Sequence, residues 1–118
     1  MGIEVRSSVD GTKTYSVGDI TVGRLYEFEG QCWEHVFLGP GPYRPAFHTD
    51  SDEVLYVVEG CGCMTINGMR MDYFPGKELY LPAGTSHGFE PRSRTHLFSV
   101  QTPPIVDLET GEADIHYE

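Results

Sequence analysis

The chain has 118 residues, of which 39% are hydrophobic and 22% charged, and its formal net charge at pH 7 is −10. These values are typical of one ordinary globular domain, so we expect a single domain over residues 1–118. The acidic surplus argues against nucleic acid and anionic membrane surfaces as partners, because both bind clustered Lys and Arg.

Short strands dominate the predicted elements, and no segment has a helical period over ten or more residues. Residues 20–28 and 32–38 are rich in β-branched and aromatic side chains. Residues 53–59 contain a near-continuous apolar run, which predicts a strand that is buried on both faces.

The second half of the chain continues this pattern. Asn67-Gly68 predicts a tight hairpin after residues 64–66, because both turn positions favour positive φ. Further strands are predicted over residues 78–81 and 96–101, and Pro103-Pro104 ends the last of them. The acidic tail, residues 105–118, either folds back over the domain or a neighbouring subunit, or frays. Many short strands punctuated by Gly and Pro favour a closed or double-sheet β architecture such as a jelly roll.

The cysteines and the N-terminal residues indicate the cellular compartment of the protein. Residues 1–6 lack the apolar stretch of a secretory signal, and no apolar run approaches the length that spans a bilayer. The three cysteines cannot all pair, and Cys61 and Cys63 are too close for a comfortable disulfide. We therefore predict a cytoplasmic protein with reduced cysteines.

Fixed spacings of Gly, Pro, His and Glu in the centre of the chain are the most specific signal. The residues at these spacings are Glu53, Gly60, Gly76, Pro82, Gly84 and His87. Together with His48 they resemble the paired motif of the cupin superfamily, and the resemblance covers about residues 40–91. It implies an all-β, cupin-type conical β-barrel (a double-stranded β-helix or jelly roll) with its ligand site inside. It also implies a homodimer.

The resemblance implies a metal site formed by His48, Glu53 and His87, which would hold one divalent ion, Fe, Mn, Ni or Zn. Two imidazoles and a carboxylate are a ligand set that leaves coordination positions open. This chain departs from the family's pattern at two positions. The first-histidine position is Ala46, which has no donor atom, and the Asn expected after His87 is Pro91.

Other polar residues are weaker candidates for the site. His35 could replace the missing ligand, although its strand face is aromatic and favours core packing or a subunit interface. Asp50 lies in a turn, where acidic residues are mostly local caps, and Tyr56 is expected on the opposite face of its strand from the carboxylate. His96 and Gln101 are on opposite faces of the last strand, and the sequence does not choose which face is inside.

The alternation of side chains also predicts the character of the pocket. If Glu53 and His87 point inward, then Leu55, Val57 and Phe89 do too, which gives a largely apolar small-molecule site. Arg44 shares the face of Ala46 if the chain is extended there, and it could then hold a substrate carboxylate. The neighbouring prolines favour an exposed arginine instead.

We predict a metal-dependent enzyme that acts on a small organic substrate, of the dioxygenase, isomerase or lyase type found among small cupins. Two alternatives remain open. One is a non-catalytic module that binds a small ligand, and the other is a metal-free cupin that uses His48 or His87 as an acid or base. Ala46 favours the alternatives, whereas the three ligands that are present favour the metal-dependent enzyme.

Overall fold

The computed structural model describes residues 3–118. Met1 and Gly2, which belong to the stretch that we expect not to be a secretory signal, lie outside the described residues. This range contains no helix, and therefore none that is long and apolar enough to cross a membrane. The strands are β1 Val5–Ser7, β2 Lys13–Val17, β3 Ile20–Phe28, β4 Gln31–Leu38, β5 Ala46–Phe47, β6 Asp52–Glu59, β7 Gly62–Ile66, β8 Met69–Tyr73, β9 Glu78–Leu81, β10 His87–Pro91, β11 Thr95–Thr102 and β12 His116–Tyr117.

Two antiparallel sheets form the domain. The larger has seven strands in the order β1-β2-β3-β4-β11-β6-β9, and the smaller has five in the order β12-β5-β10-β7-β8. Strands that are distant in sequence are neighbours in space, such as β4 and β11, as in Greek-key and jelly-roll folds. The predicted all-β jelly-roll architecture is therefore confirmed.

Strand β6 corrects one prediction. Its apolar run is not buried on both faces, because inward residues alternate with outward ones along the strand. Glu53, Leu55 and Val57 are buried, whereas Tyr56 and Val58 are exposed. The reason is that, within residues 3–118, the two sheets cover only each other's inner faces and no further layer lies over the outer face of the large sheet.

The tight turn between β7 and β8 is confirmed. Asn67 and Gly68 have φ values of 48° and 81°, the left-handed conformation that the sequence pair favours. The turn is also held from outside, because the Asn67 side-chain oxygen accepts a hydrogen bond from Ser86 N at 3.0 Å. This contact joins the hairpin to the loop that precedes β10.

The C-terminal tail folds back over its own barrel, which settles the choice that the sequence left open. Ile105 and Val106 are buried with Tyr15 and Val22 in one of two apolar clusters. The tail then returns to the smaller sheet, where β12 pairs with β5 and becomes its edge strand. The tail therefore forms part of the wall of the cavity between the sheets.

Candidate metal centre

Three side chains from separate elements converge inside the barrel. His48 follows β5, Glu53 lies in β6 and His87 begins β10, and all three are buried. Their nearest donor atoms all lie within 4.8 Å of one another. Glu53 Oε1 is 3.5 Å from His48 Nε2 and 3.9 Å from His87 Nε2. The structure thus brings together the three residues that the sequence selected.

The Pro-Ala-Gly turn before β10 fixes this convergence. Gly84, with a φ of 84°, turns the chain so that its N–H donates to His48 O at 2.6 Å. Ala83 N–H donates to Asp52 Oδ1 at 2.8 Å, next to Glu53. The turn is therefore joined to both ends of the connection between the other two residues.

Both imidazoles are oriented by main-chain oxygens. His48 Nδ1 lies 2.6 Å from Asp114 O, and His87 Nδ1 lies 3.1 Å from Thr85 O. Because a carbonyl oxygen only accepts, each Nδ1 carries a proton and each Nε2 is directed towards Glu53. Ligating histidines in proteins are commonly held in this way, so the donor set fits a metal ion.

The carboxylate is held by a chain of buried polar side chains. Ser99 Oγ donates to Glu53 Oε2 at 2.5 Å, which leaves Oε1 facing the imidazoles. Gln101 Nε2 donates to Ser99 Oγ at 3.0 Å, and it is also 2.5 Å from Glu34 Oε1. Ser99 and Gln101 therefore set the rotamer of the carboxylate at the site.

The environment shifts the three pKa values in different directions. Burial favours a low pKa for His48, but the nearby Glu53 carboxylate outweighs it, so the pKa of His48 lies above its usual value. For His87 burial dominates, and its pKa is lowered. Burial would raise the pKa of Glu53, yet the two imidazoles and Ser99 reverse this and lower it. At neutral pH the carboxylate is therefore ionised and His87 is neutral.

Asp114, in the tail, is a site residue that the sequence analysis missed. Its carboxylate accepts hydrogen bonds from the main chain of Thr49, Asp50 and Ser51, at 2.8 to 3.2 Å, and its own carbonyl accepts from His48. No motif spacing points to it, because it is 66 residues from His48. An acidic residue in a tail that folds back over the barrel was the one available signal.

A second buried polar cluster, formed by Tyr15, Arg24, Glu34 and Gln101, lies on the large sheet. Arg24 Nε donates to Glu34 Oε2 at 2.9 Å, and Tyr15 Oη lies 2.7 Å from both carboxylate oxygens. Glu34 is only 1% exposed. Strand alternation could have found it, since Glu34 must face opposite to its neighbour His35.

The candidate site opens into a cavity of about 130 Å³. Its wall is mostly aliphatic and aromatic, and its further polar side chains include Tyr15, Glu34, Arg44 and Gln101. Leu55 and Phe89 line it together with Ala46, as expected from the alternation of side chains. Val57, which was also expected there, packs in the buried core instead of lining the cavity. Ala46 pairs with His87 across the sheet, so the position without a donor atom lies next to the site.

The other candidate ligands lie outside the site. His35 is on the outer face of the large sheet, where its Nδ1 is 2.6 Å from His96 Nε2, so it does not replace the missing histidine. Asp50 and Tyr56 are exposed. Of the two candidates in β11, Gln101 points inward and His96 does not. The outer location of His35 follows from the inward position of Glu34.

A barrel of two antiparallel sheets with two histidines and a glutamate inside it is the arrangement of a small cupin. The cupin domain family model matches residues 34–100, more than half of the chain, and the chain belongs to this family. No curated protein matches the chain by sequence.

Solved structures that resemble this chain support the same fold. A Streptomyces Pac13 variant with uridine superposes with a TM-score of 0.74 at 16% identity, covering 96% of this chain and 89% of Pac13. KdgF from Halomonas sp. has a TM-score of 0.66 at 20% identity, with 86% of each chain covered. Ectoine synthase from P. lautus has a TM-score of 0.67 at 20% identity, covering 75% of this chain and 67% of the synthase.

Proposed function

We propose that the protein is a metal-dependent enzyme that acts on a small organic substrate, with His48, Glu53 and His87 holding one divalent metal ion. The observation that carries this proposal is the convergence of three donor atoms within 4.8 Å, while both Nδ1 atoms are hydrogen-bonded to carbonyls. Fe, Mn, Ni and Zn all suit such a set, and the reaction is of the dioxygenase, isomerase or lyase type.

Each residue has a defined part in this proposal. A bound divalent ion supplies Lewis acidity to an oxygen atom of the substrate or of water. His48, Glu53 and His87 would hold that ion, and Ala46, which is paired with His87, adds no further donor atom. The apolar wall around Leu55 and Phe89 excludes bulk water and packs against the body of the substrate.

The structural neighbours support an enzyme rather than a storage protein. Pac13 is described as a nucleoside dehydratase, and another neighbour is an ectoine synthase. Identities of 16% and 20% carry the fold and not the substrate. We therefore propose a small-molecule substrate without naming it from these relatives.

A metal-free acid–base enzyme is the second candidate, and one observation favours it. His48 has a raised pKa and His87 a lowered one, although their ring centroids are only 5.1 Å apart. Two neighbouring groups whose pKa values are driven apart can serve as an acid and a base. In this case His48 would donate a proton and His87 would accept one.

Metal analysis of the purified protein distinguishes the two candidates. Untagged protein prepared without chelators should contain about one equivalent of metal by inductively coupled plasma mass spectrometry if the site holds one ion. His48→Ala and His87→Ala should each lose most of it. The double variant Cys61→Ser/Cys63→Ser is the control and should keep the wild-type content.

Two outcomes would count against the metal-dependent enzyme. Unchanged metal in His87→Ala would remove the ligand assignment. Wild-type protein that stays metal-free after reconstitution with Fe, Mn, Ni and Zn would favour the acid–base enzyme, or a non-catalytic binding module if no reaction is found.

We also propose that the chain is a single cupin domain over residues 1–118 that forms a homodimer. A cytoplasmic location is supported by Cys32, Cys61 and Cys63, which are all unpaired, as thiols are in a reducing compartment.

A further inference from the structure

Two cavities meet at the open end of the barrel. The inner one, of about 130 Å³, contains the candidate metal ligands, and the outer one, of about 270 Å³, lies next to it on the surface. Five residues line both cavities: Val17, Ile20, Tyr43, Arg44 and Tyr117. These side chains therefore form the mouth through which a ligand reaches the site.

Within residues 3–118, Arg44 is the only Lys or Arg whose side chain lines the inner cavity. The other nearby arginine, Arg24, is engaged by Glu34, Glu27 and Val106 O. Within residues 3–118, Arg44 forms no ion pair with a carboxylate side chain; its hydrogen bonds go to the backbone of Glu118. Arg44 Nε and Nη2 donate to the same main-chain oxygen of Glu118, at 3.2 and 2.7 Å.

The strand that supplies this oxygen is short. β12 contains only His116 and Tyr117, both exposed, and it pairs with the two residues of β5. The Arg44 guanidinium lies 5.1 Å from the centroid of the Tyr117 ring, which keeps the planar group at the mouth. A guanidinium fork presents two parallel N–H donors, which match the two oxygens of a carboxylate.

We propose that Arg44 binds the carboxylate of the small molecule that enters the cavity, in place of the Glu118 oxygen. This inference deepens the proposed function, since it rests on the cavity taking a small-molecule ligand. The apolar part of the ligand lies between Arg44 and the two histidines. A dry cavity of about 150 Å³ can hold benzene, so the ligand class is a short-chain or single-ring carboxylic acid.

Butyrate and butyramide are suitable probes, because they have the same number of heavy atoms and differ in charge. Their affinities are measured by ¹⁵N–¹H correlation spectra during titration of the purified wild-type protein. We expect butyrate to bind about tenfold more tightly than butyramide, as a charge-assisted hydrogen bond pair allows. Arg44→Gln should abolish this preference, and Arg44→Lys should keep part of it.

Arg70→Gln is the matched control, because Arg70 is an exposed arginine on the outer face of the small sheet, paired with Glu90 at 2.9 Å. It should retain the wild-type preference. The proposal is overturned if Arg44→Gln keeps the preference, or if the wild type binds neither probe or binds both equally. The spectra of each variant also report whether it is folded.

The same titration separates this inference from the metal proposal. A preference lost in His87→Ala but kept in Arg44→Gln would place the carboxylate on the metal, which refutes the role of Arg44 and supports the ligand set. A preference that depends on Arg44 in protein without metal would support the role of Arg44 while contradicting the metal-dependent enzyme.

Discussion

Ala46 is the residue that decides how much of the coordination sphere remains open. It is directly opposite His87 in the pairing of β5 with β10, and it lines the cavity. Its neighbour Phe47 has its ring 5.3 Å from that of His116 in the tail. The two adjacent residues thus point to opposite sides of the same strand, and only Ala46 faces the site.

Ala46→His should tighten metal binding, because it adds a third imidazole beside His48 and His87. We expect a gain of at least about tenfold, since even outer-shell changes alter metal affinity by 10- to 100-fold. The measurement is competition for Mn²⁺ or Zn²⁺ against a chromophoric chelator. Phe47→His, which adds an imidazole on the other side of the strand, should leave the affinity unchanged. Equal affinities of Ala46→His and wild type would mean that Ala46 does not face the metal.

Arg24 and Glu34 form a buried ion pair, in which each charge is stabilised by the other. The Arg24 and Glu34 side chains are 5% and 1% exposed, and the N···O distance is 2.9 Å. Burial acts to lower the pKa of Arg24, but Glu34 outweighs it and the pKa of Arg24 is raised, so Arg24 is charged. Removing one partner leaves a charge in the interior without its counterion.

Arg24→Met should therefore destabilise the fold by about 3–5 kcal/mol, as measured for other broken buried pairs. The double variant Arg24→Met/Glu34→Leu should be more stable than Arg24→Met, because it removes the unpaired charge. Urea denaturation followed by fluorescence of Trp33 gives both free energies of unfolding. If the loss of unfolding free energy in the double variant equals the sum of the losses from the two single substitutions, Arg24 and Glu34 are not coupled.

At the scale of elements, the tail and the loop between β5 and β6 act as one unit. Asp114 joins them through the main-chain N–H groups of Thr49, Asp50 and Ser51 and through the Thr49 hydroxyl. Burial would raise the pKa of Asp114, but these hydrogen bonds outweigh it and lower the pKa below its usual range. The charged form of Asp114 is therefore part of the folded structure.

The pH dependence of stability should reveal this contribution. A carboxyl whose folded pKa is lowered stabilises the fold above its unfolded pKa of about 3.9, and the effect is lost as pH falls through the folded value. At pH 7, Asp114→Asn should be about 1–2 kcal/mol less stable than wild type, since charged hydrogen bonds are stronger than neutral ones. This gap should narrow as pH falls from about 5 to 2.

Glu112→Gln is the control for this experiment, because Glu112 is an exposed acid in the same tail. Its stability should match wild type throughout the titration. A constant difference between Asp114→Asn and wild type across the pH range would contradict the role assigned to the charge.

The elements that carry the motif were predictable because their geometry has strict local requirements. Gly60 has a φ of 97°, and a Cβ there would collide with the main chain of Arg94 and Thr95. Gly84 has positive φ and donates its N–H to His48 O. Positions of this kind require glycine, and they lie at fixed sequence distances from the candidate ligands. The spacing of Glu53, Gly60, Gly84 and His87 therefore indicated both the fold and the candidate site.

The rest of the site depends on contacts between distant segments, which local patterns do not encode. Tyr15 and Glu34 are 19 residues apart, and Arg24 reaches Val106 across 82 residues. Contacts between distant segments also determine the path of the tail, so the sequence alone did not choose between a tail that folds back and one that frays. The burial of β6 on one face only depends on which layers cover the sheet, and its sequence is apolar on both sides.

At the scale of the whole molecule, the outer face of the large sheet is unusually aromatic. Strand pairing aligns one row of side chains across five strands: Tyr26, Trp33, Val100, Val54 and Tyr80. The next row contains His35, Phe98 and Tyr56, with the last two rings 6.3 Å apart. Contiguous apolar surface of this kind marks interaction sites on soluble proteins, and aromatic residues are enriched in protein interfaces.

We expect this face to bind the same face of a second chain, because the aromatic and aliphatic side chains of both rows are then removed from water by a two-fold pairing. Size-exclusion chromatography with light scattering should give the mass of a dimer for wild type. Phe98→Glu and Tyr56→Glu place a charge within the rows, and each should give a monomer, since an unpaired charge is costly in an interface. Met69→Glu, an exposed methionine on the small sheet, makes the same chemical change elsewhere and should stay dimeric. A monomeric wild type would refute the dimer, and a dimer that persists in both sheet variants would locate the interface on another surface.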